Sequence, residues 1–295
     1  MRRSLLLAAA ALLATPGTAG GDGLPVGNVD VGPEGVVGAS DSARIVALPA
    51  GAGSTLVARI ETGSGRVKRS KWLREPLTIP GVALDGTADG LSGNERTMVV
   101  IRPREHGDFP LRRTRFLVLD ARTLRVKRRI TLRGDFSFDA LSPDGRRMFV
   151  VNYVDRRDPR AYLVRSFDLD AGRLERGAIV DAREPDEDMR GYPVTRATTE
   201  DGRWAYTLYD GGGDEPFIHA LDTAQRRAFC IDLPMVADVV DPHTMRLDLR
   251  DGLRVVDEQR KVRAIVDTTE MHADWPPRTG LFSDITLSPA AASEV

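Results

Sequence analysis

Leu141-Ser142-Pro143-Asp144-Gly145-Arg146 runs into the apolar stretch Met148-Phe149-Val150. An offset of 50 residues (141 minus 91) separates it from Leu91-Ser92-Gly93-Asn94-Glu95-Arg96, which runs into Met98-Val99-Val100. A third copy, Thr199-Glu200-Asp201-Gly202-Arg203, leads into Trp204-Ala205-Tyr206. Each joins a tight turn of Pro, Asp and Gly type to a β-rich apolar run. Repetition at this period is the signature of a repeat architecture.

A second unit follows each turn. Phe116-Leu117-Val118-Leu119-Asp120 turns into 124–132, Ser166-Phe167-Asp168-Leu169-Asp170 into 174–180, and Ile218-His219-Ala220-Leu221-Asp222 into 228–233. The acid closing the first run recurs at 120, 170 and 222, where a short carboxylate accepts turn N–H groups. Fainter copies stand at 56–61 turning into 67–73 and at 253–257 turning into 262–267. These make five units, each with room for four strands. In the third, strands are expected over 136–141, 147–152, 162–169 and 174–180. The fold class expected is all-β: a β-propeller of four-stranded antiparallel blades, five in number, or six if the tail contributes. No segment carries a sustained helical period, so helix content is expected near zero.

The stretch Ser142-Pro143-Asp144-Gly145-Arg146-Arg147-Met148-Phe149-Val150-Val151-Asn152 resembles the YVTN-type β-propeller repeat, with its serine-proline-aspartate-glycine turn followed by an aromatic, valine and asparagine. Leu221-Asp222-Thr223 resembles the aspartate-threonine hairpin that ends such repeats. The resemblance covers roughly 85–235. It implies a secreted or cell-surface propeller of a kind for which many members have no assigned activity.

The chain has 295 residues, of which 41% are hydrophobic and 29% charged, with a formal net charge of -1. That composition suits a globular domain and gives no overall positive field for nucleic acid. Arg2-Arg3, the Leu/Ala run 5–14 and the small residues Gly17-Thr18-Ala19 have the layout of a signal peptide over 1–19. That places the protein outside the cytoplasm, with a flexible segment over 20–34, the propeller over 35–267 and a tail over 268–295. No later apolar run is long enough for a transmembrane anchor. Phe282-Ser283-Asp284-Ile285-Thr286-Leu287-Ser288-Pro289 echoes 136–143 and is expected to add a strand. Cys230, the single cysteine, sits in a strand pattern and reads as a buried hydrophobe.

In a blade, the loops after strands two and four emerge on one face. The long connections 102–113, 152–161, 181–194 and 209–216 all fall there, where binding groups usually sit. Arg102, Arg104, Arg112, Arg113, Arg156 and Arg157, with Asp186, Arg190, Tyr192, Arg196 and Asp210, are the ligand-binding candidates. They would frame an anion or sugar site, or else form a solvated face with loop-internal ion pairs. A second constellation belongs to the innermost strands, which border the channel. Asp89 and Asp139 occupy equivalent places, with Arg196 and Asp238 at that place in units four and five. These acids are the only candidates for acid–base catalysis; they could equally fix turns or channel waters.

His106, His219, His243 and His272 lack metal-ligand spacing, and no cofactor motif occurs, so neither metal nor cofactor is expected. The expectation is a monomeric binding module for an extracellular ligand (sugar, anion or protein), not nucleic acid. A propeller hydrolase, lactonase-like or glycosidase, using the channel carboxylates is the alternative. Equivalent placement of Asp89 and Asp139 predicts similar environments, which argues against distinct acid and base roles.

Overall fold

The computed structural model describes residues 35–40, 42–51, 53–104, 109–186, 189–213, 215–233 and 241–274. The leader, the segment 20–34, the tail echo 282–289 and Asp238 lie outside them. In chain order the strands are β1 (Val36–Val37), β2 (Ala43–Ala50), β3 (Ser54–Glu61), β4 (Val67–Leu73), β5 (Thr97–Ile101), β6 (Arg113–Asp120), β7 (Val126–Arg133), β8 (Asp135–Leu141), β9 (Arg147–Tyr153) and β10 (Tyr162–Asp168). There follow β11 (Arg173–Leu174), β12 (Pro193–Thr198), β13 (Trp204–Tyr209), β14 (Phe217–Asp222), β15 (Arg227–Asp232), β16 (Arg246–Asp248), β17 (Leu253–Val256), β18 (Val262–Asp267) and β19 (His272–Asp274). One 3-10 turn, Pro242–Thr244, is the only helical element among the described residues.

The strands form five antiparallel sheets in chain order, β1–β4, β5–β7, β8–β11, β12–β15 and β16–β19. Alternation along each strand gives a sheet two apolar faces. Successive sheets stack face to face through four buried clusters, between sheets one and two, two and three, three and four, and four and five. This is a β-propeller of five blades, each sheet meandering outward from an innermost strand. The repeated turns close the β8–β9 and β12–β13 hairpins, and in each the Ser or Thr hydroxyl bonds the Asp two residues on, at 2.6 Å for Ser142–Asp144 and 2.7 Å for Thr199–Asp201.

Three local expectations need correction. The fourth strand of unit three shrinks to β11, because the chain bends at Arg176–Gly177 and breaks the ladder. In unit five, the hairpin 253–267 supplies the second and third strands, since β16 packs inside on the innermost strand β12 while β19, beyond residue 267, lies at the edge. In unit two the innermost strand is interrupted. Thr78 bridges Ile101 and Leu91 bridges Met98, but 80–89 leaves the sheet as a small hairpin with Gly81 bridging Ala88. Its tip donates from Leu84 N to Pro193 O (2.8 Å) and from Asp85 N to Val194 O (3.2 Å) on β12, two blades away. The Asp85 carboxylate also comes within 4.0 Å of Arg246 on β16. The hairpin therefore spans the channel.

Candidate functional site

The channel residues are built from facing innermost strands. Asp139 sits on β8 at a bulge between Phe138 and Ala140. Arg196 on β12 reaches across the blade boundary. Its Nη2 donates to the Asp139 carboxylate, its Nη1 to the Asp139 carbonyl at 2.6 Å, and its Nε to Thr207 Oγ1 at 2.9 Å. Both side chains are almost fully buried, at 3% and 4% exposure. Such a pair neutralises itself and has little charge to offer a ligand.

Asp89 has the register that the repeat predicts, since Leu91 faces Met98 as Leu141 faces Met148. Its environment differs from that of Asp139, contrary to the sequence expectation, because Arg196 bonds Asp139 and because Asp89 belongs to the return of the channel hairpin. Asp89 accepts from Gly90 N at 2.5 Å. Burial pushes its carboxyl up to about 6, against the pull of Arg196 and with a push from Asp139. A carboxyl raised in this way suits a general acid. The cavity beside Asp139, lined also by Gly81, Val82, Ser137, Tyr153 and Arg196 but not by Asp89, has about 20 Å³ free. That accommodates about one water and excludes a sugar ring.

An aromatic and histidine layer that the sequence reading missed backs this cavity. Tyr162 stacks on Tyr209 at 5.1 Å, and Tyr209 on Phe217 at 5.3 Å. Burial drives the Tyr162 and Tyr209 hydroxyls well above their usual range and the Tyr153 hydroxyl to about 12. His219 is buried beside Tyr209, and burial lowers it to about 4, so it is neutral at pH 7. Its Nε2 has no hydrogen-bond partner among the described residues. The alternation of β14, which puts His219 on the same face as Phe217 and Leu221, was the available signal.

The four long connections do converge on one face. Arg160 Nη1 donates to Gly212 O (2.8 Å), and Asp210 Oδ1 accepts from Tyr192 N (2.7 Å) and Gly212 N (2.9 Å). Arg190 Nη1 reaches Asp158 Oδ2 (3.5 Å), and Phe109 meets the Tyr153 ring edge-on at 6.2 Å. Several candidates turn out to be scaffolding. Arg104 is buried, forking onto Asp135. Asp135 also accepts from Leu111 N at 2.7 Å, so this pair anchors the loop instead of facing solvent. Asp210 likewise spends its Oδ1 on backbone N–H groups, and half-buried Tyr192 belongs to that clamp. Arg102, Arg112, Arg113 and Asp186 are exposed.

Arg156, Arg157 and Arg190 remain together. With Asp155, Val154 and Met189 they line an open groove of about 560 Å³ beside the 152–161 connection of the third blade. Asp155 accepts from Arg157 N at 2.8 Å, which ties down its backbone. The Arg156 and Arg157 guanidinium groups have no ion pair among the described residues. No group of three or more His, Cys, Asp or Glu suited to a metal ion occurs among the described residues.

No protein-family model matches the chain, and no curated protein matches it. Solved structures resemble it in shape. The β-propeller domain of Cps50 (Swd1) from Myceliophteria thermophila is 12% identical, with a TM-score of 0.45 over 79% of this chain and 65% of that one. A putative TolB from Agrobacterium tumefaciens is 15% identical, with a TM-score of 0.40 over 81% of this chain and 78% of that one. The chain also covers 51% of Hydrazine Synthase from Kuenenia stuttgartiensis, at 16% identity and a TM-score of 0.40. Similarity at this level assigns no activity.

Proposed function

We propose that this protein is an extracytoplasmic binding module that takes an anionic or polyhydroxylated ligand at the loop face of its third blade. The observation that carries this reading is a contrast of space. About 20 Å³ is free in the cavity beside Asp139 and Arg196, against about 560 Å³ beside Arg156, Arg157 and Arg190. Unpaired guanidinium forks suit carboxylate, phosphate or sulfate groups, and Val154 and Met189 offer apolar contact to a sugar ring or a side chain. A location outside the cytoplasm rests on the leader-like 1–19, and residue 20 is the expected first residue of the exported protein.

The reading is tested by thermal shift of the full chain against sugar acids, di- and tricarboxylates and sugar phosphates. Stabilisation by at least one of these classes, lost in Arg156→Gln/Arg157→Gln, is the expected outcome. Stabilisation that survives the double variant but disappears in Asp139→Asn would move the site into the channel and favour the hydrolase reading.

A further inference from the structure

The net charge of -1 hides a strong polarity along the chain. Residues 35–133, the first two blades, carry 19 Lys and Arg against 9 Asp and Glu, a surplus of ten cations. Residues 134–274 carry 20 against 29, a surplus of nine acids. The two halves also dispose of their charges differently. Acids of the second half are largely engaged locally, as in Asp181–Arg183, Asp222 with Arg203 and Arg227, Asp248–Arg250 and Asp257–Arg263. The cations of the first half are mostly left without an acid.

Their placement is specific. On sheet two, Arg113 stands directly opposite Arg133 and Arg115 opposite Thr131. The pairing of Leu117 with Arg129 on the same face turns that face toward sheet one, because Leu117 belongs to the core between the two sheets. On sheet one, Arg59 stands directly opposite Arg69 and Val57 opposite Lys71. Val57 belongs to the same shared core, so this face looks toward sheet two. The facing outer walls of blades one and two thus present Arg59, Arg69, Lys71, Arg113, Arg115 and Arg133, none of which has an ion pair among the described residues. Arg129 alone is matched, by Glu75 at 3.2 Å. Like charges directly opposite one another across strands are destabilising. Two Arg–Arg pairs on facing walls oppose stability locally, a departure of the kind found at functional or strained sites.

We infer that the outer cleft between the first and second blades is a second binding site, for an acidic polysaccharide. Blades splay apart toward their outer strands, and β4, at seven residues, gives a track about 23 Å long. Arg predominates, and its planar forks match carboxylate or sulfate groups repeated along a chain. No aromatic ring stands among these wall residues to stack bases, since Trp72, 65% exposed, pairs with Leu56 on the other face of sheet one. A double helix is wider than the roughly 10 Å spacing from which the walls diverge. A charged wall without apolar pockets lacks the anchors on which peptide recognition depends.

The test uses the full chain at low salt with polygalacturonate and heparin as acidic glycans, dextran as a neutral glycan, polyglutamate and DNA. Binding to an acidic glycan and not to dextran is expected, weakening steeply with added salt. Arg113→Gln/Arg133→Gln should lower that affinity at least tenfold, with a melting temperature equal to or above that of the parent, because a repulsion is removed. The same tenfold loss is expected when Arg113→Gln/Arg133→Gln is added to the Arg156→Gln/Arg157→Gln protein, in which the loop face is disabled, so failure here is separate from failure of the loop-face reading. Absence of glycan binding, undiminished binding in the Arg113/Arg133 variant, or tighter binding to polyglutamate or DNA would each overturn the assignment.

Discussion

Asp89 carries the most informative titration in the molecule. Its folded value of about 6 lies above the ordinary 3.8, so the folded state holds a proton that the unfolded chain has already released between those values. Stability from this group is therefore full below about pH 4 and declines as pH rises to about 6. Two units correspond to about 3 kcal/mol. His219 acts oppositely. Its folded value of about 4 lies below the ordinary 6.5, so its contribution is present above pH 6.5 and declines as pH falls toward 4. Asp89→Asn should accordingly be more stable than the parent at pH 8 by about 2 kcal/mol, with the difference vanishing near pH 4. An equal loss at both pH values in chemical denaturation would show that Asp89 is ionised and well partnered. The Arg196–Asp139 pair makes a separate prediction. Arg196→Met leaves a buried carboxylate alone and should cost about 3–5 kcal/mol, most of it recovered in Arg196→Met/Asp139→Leu. The positions of Asp89, Asp139 and Arg196 were legible from the 50-residue offset. Their pairing was not, because an offset fixes where a residue stands along its strand and says nothing of which neighbour an Arg long enough to reach several will choose.

Among the elements, the turns of the repeat do more than reverse the chain. Gly93, in the turn before β5, lies so close to Asp201 in the turn before β13 that a Cβ would collide with the Asp201 carbonyl oxygen. Asn94 binds the turn of the third blade as well, from its N–H to Pro143 O at 2.9 Å and from Nδ2 to Asp144 O at 2.8 Å. The turns of blades two, three and four thus meet at one end of the channel, while the hairpin 80–89 spans it. Gly93→Ala should destabilise by about 1–3 kcal/mol, since two backbones must separate; an unchanged denaturation midpoint would mean that the turns do not touch. The hairpin was not legible. Ala88 to Leu91 fits the repeat and masks the departure of 80–87, whose Pro80-Gly81 and Asp85-Gly86 read as ordinary turn residues. The five units were legible because alternation and a closing acid recur. The fifth reads one strand too far out although Asp251-Gly252 closes its first hairpin as Asp201-Gly202 closes that of the fourth, because β16 has only three residues and carries almost no alternation.

Across the whole molecule, five sheets are joined by four apolar clusters, and among the described residues none joins the fifth sheet to the first. Charge runs across the same architecture, basic in the first two blades and acidic in the last three. The total charge, being a sum, concealed this from the sequence reading, whereas counting by repeat unit reveals it. With only about 20 Å³ free beside Asp139 and Arg196, the proposed function lies on the outer surfaces of the scaffold. The most direct test is a crystal structure of the full chain grown with a sugar acid that stabilises it. Ligand density is expected against Arg156, Arg157 and Arg190, with the hairpin 80–89 still bonded to β12. Ligand density between Asp89 and Asp139, with that hairpin displaced from the channel, would contradict the proposed function.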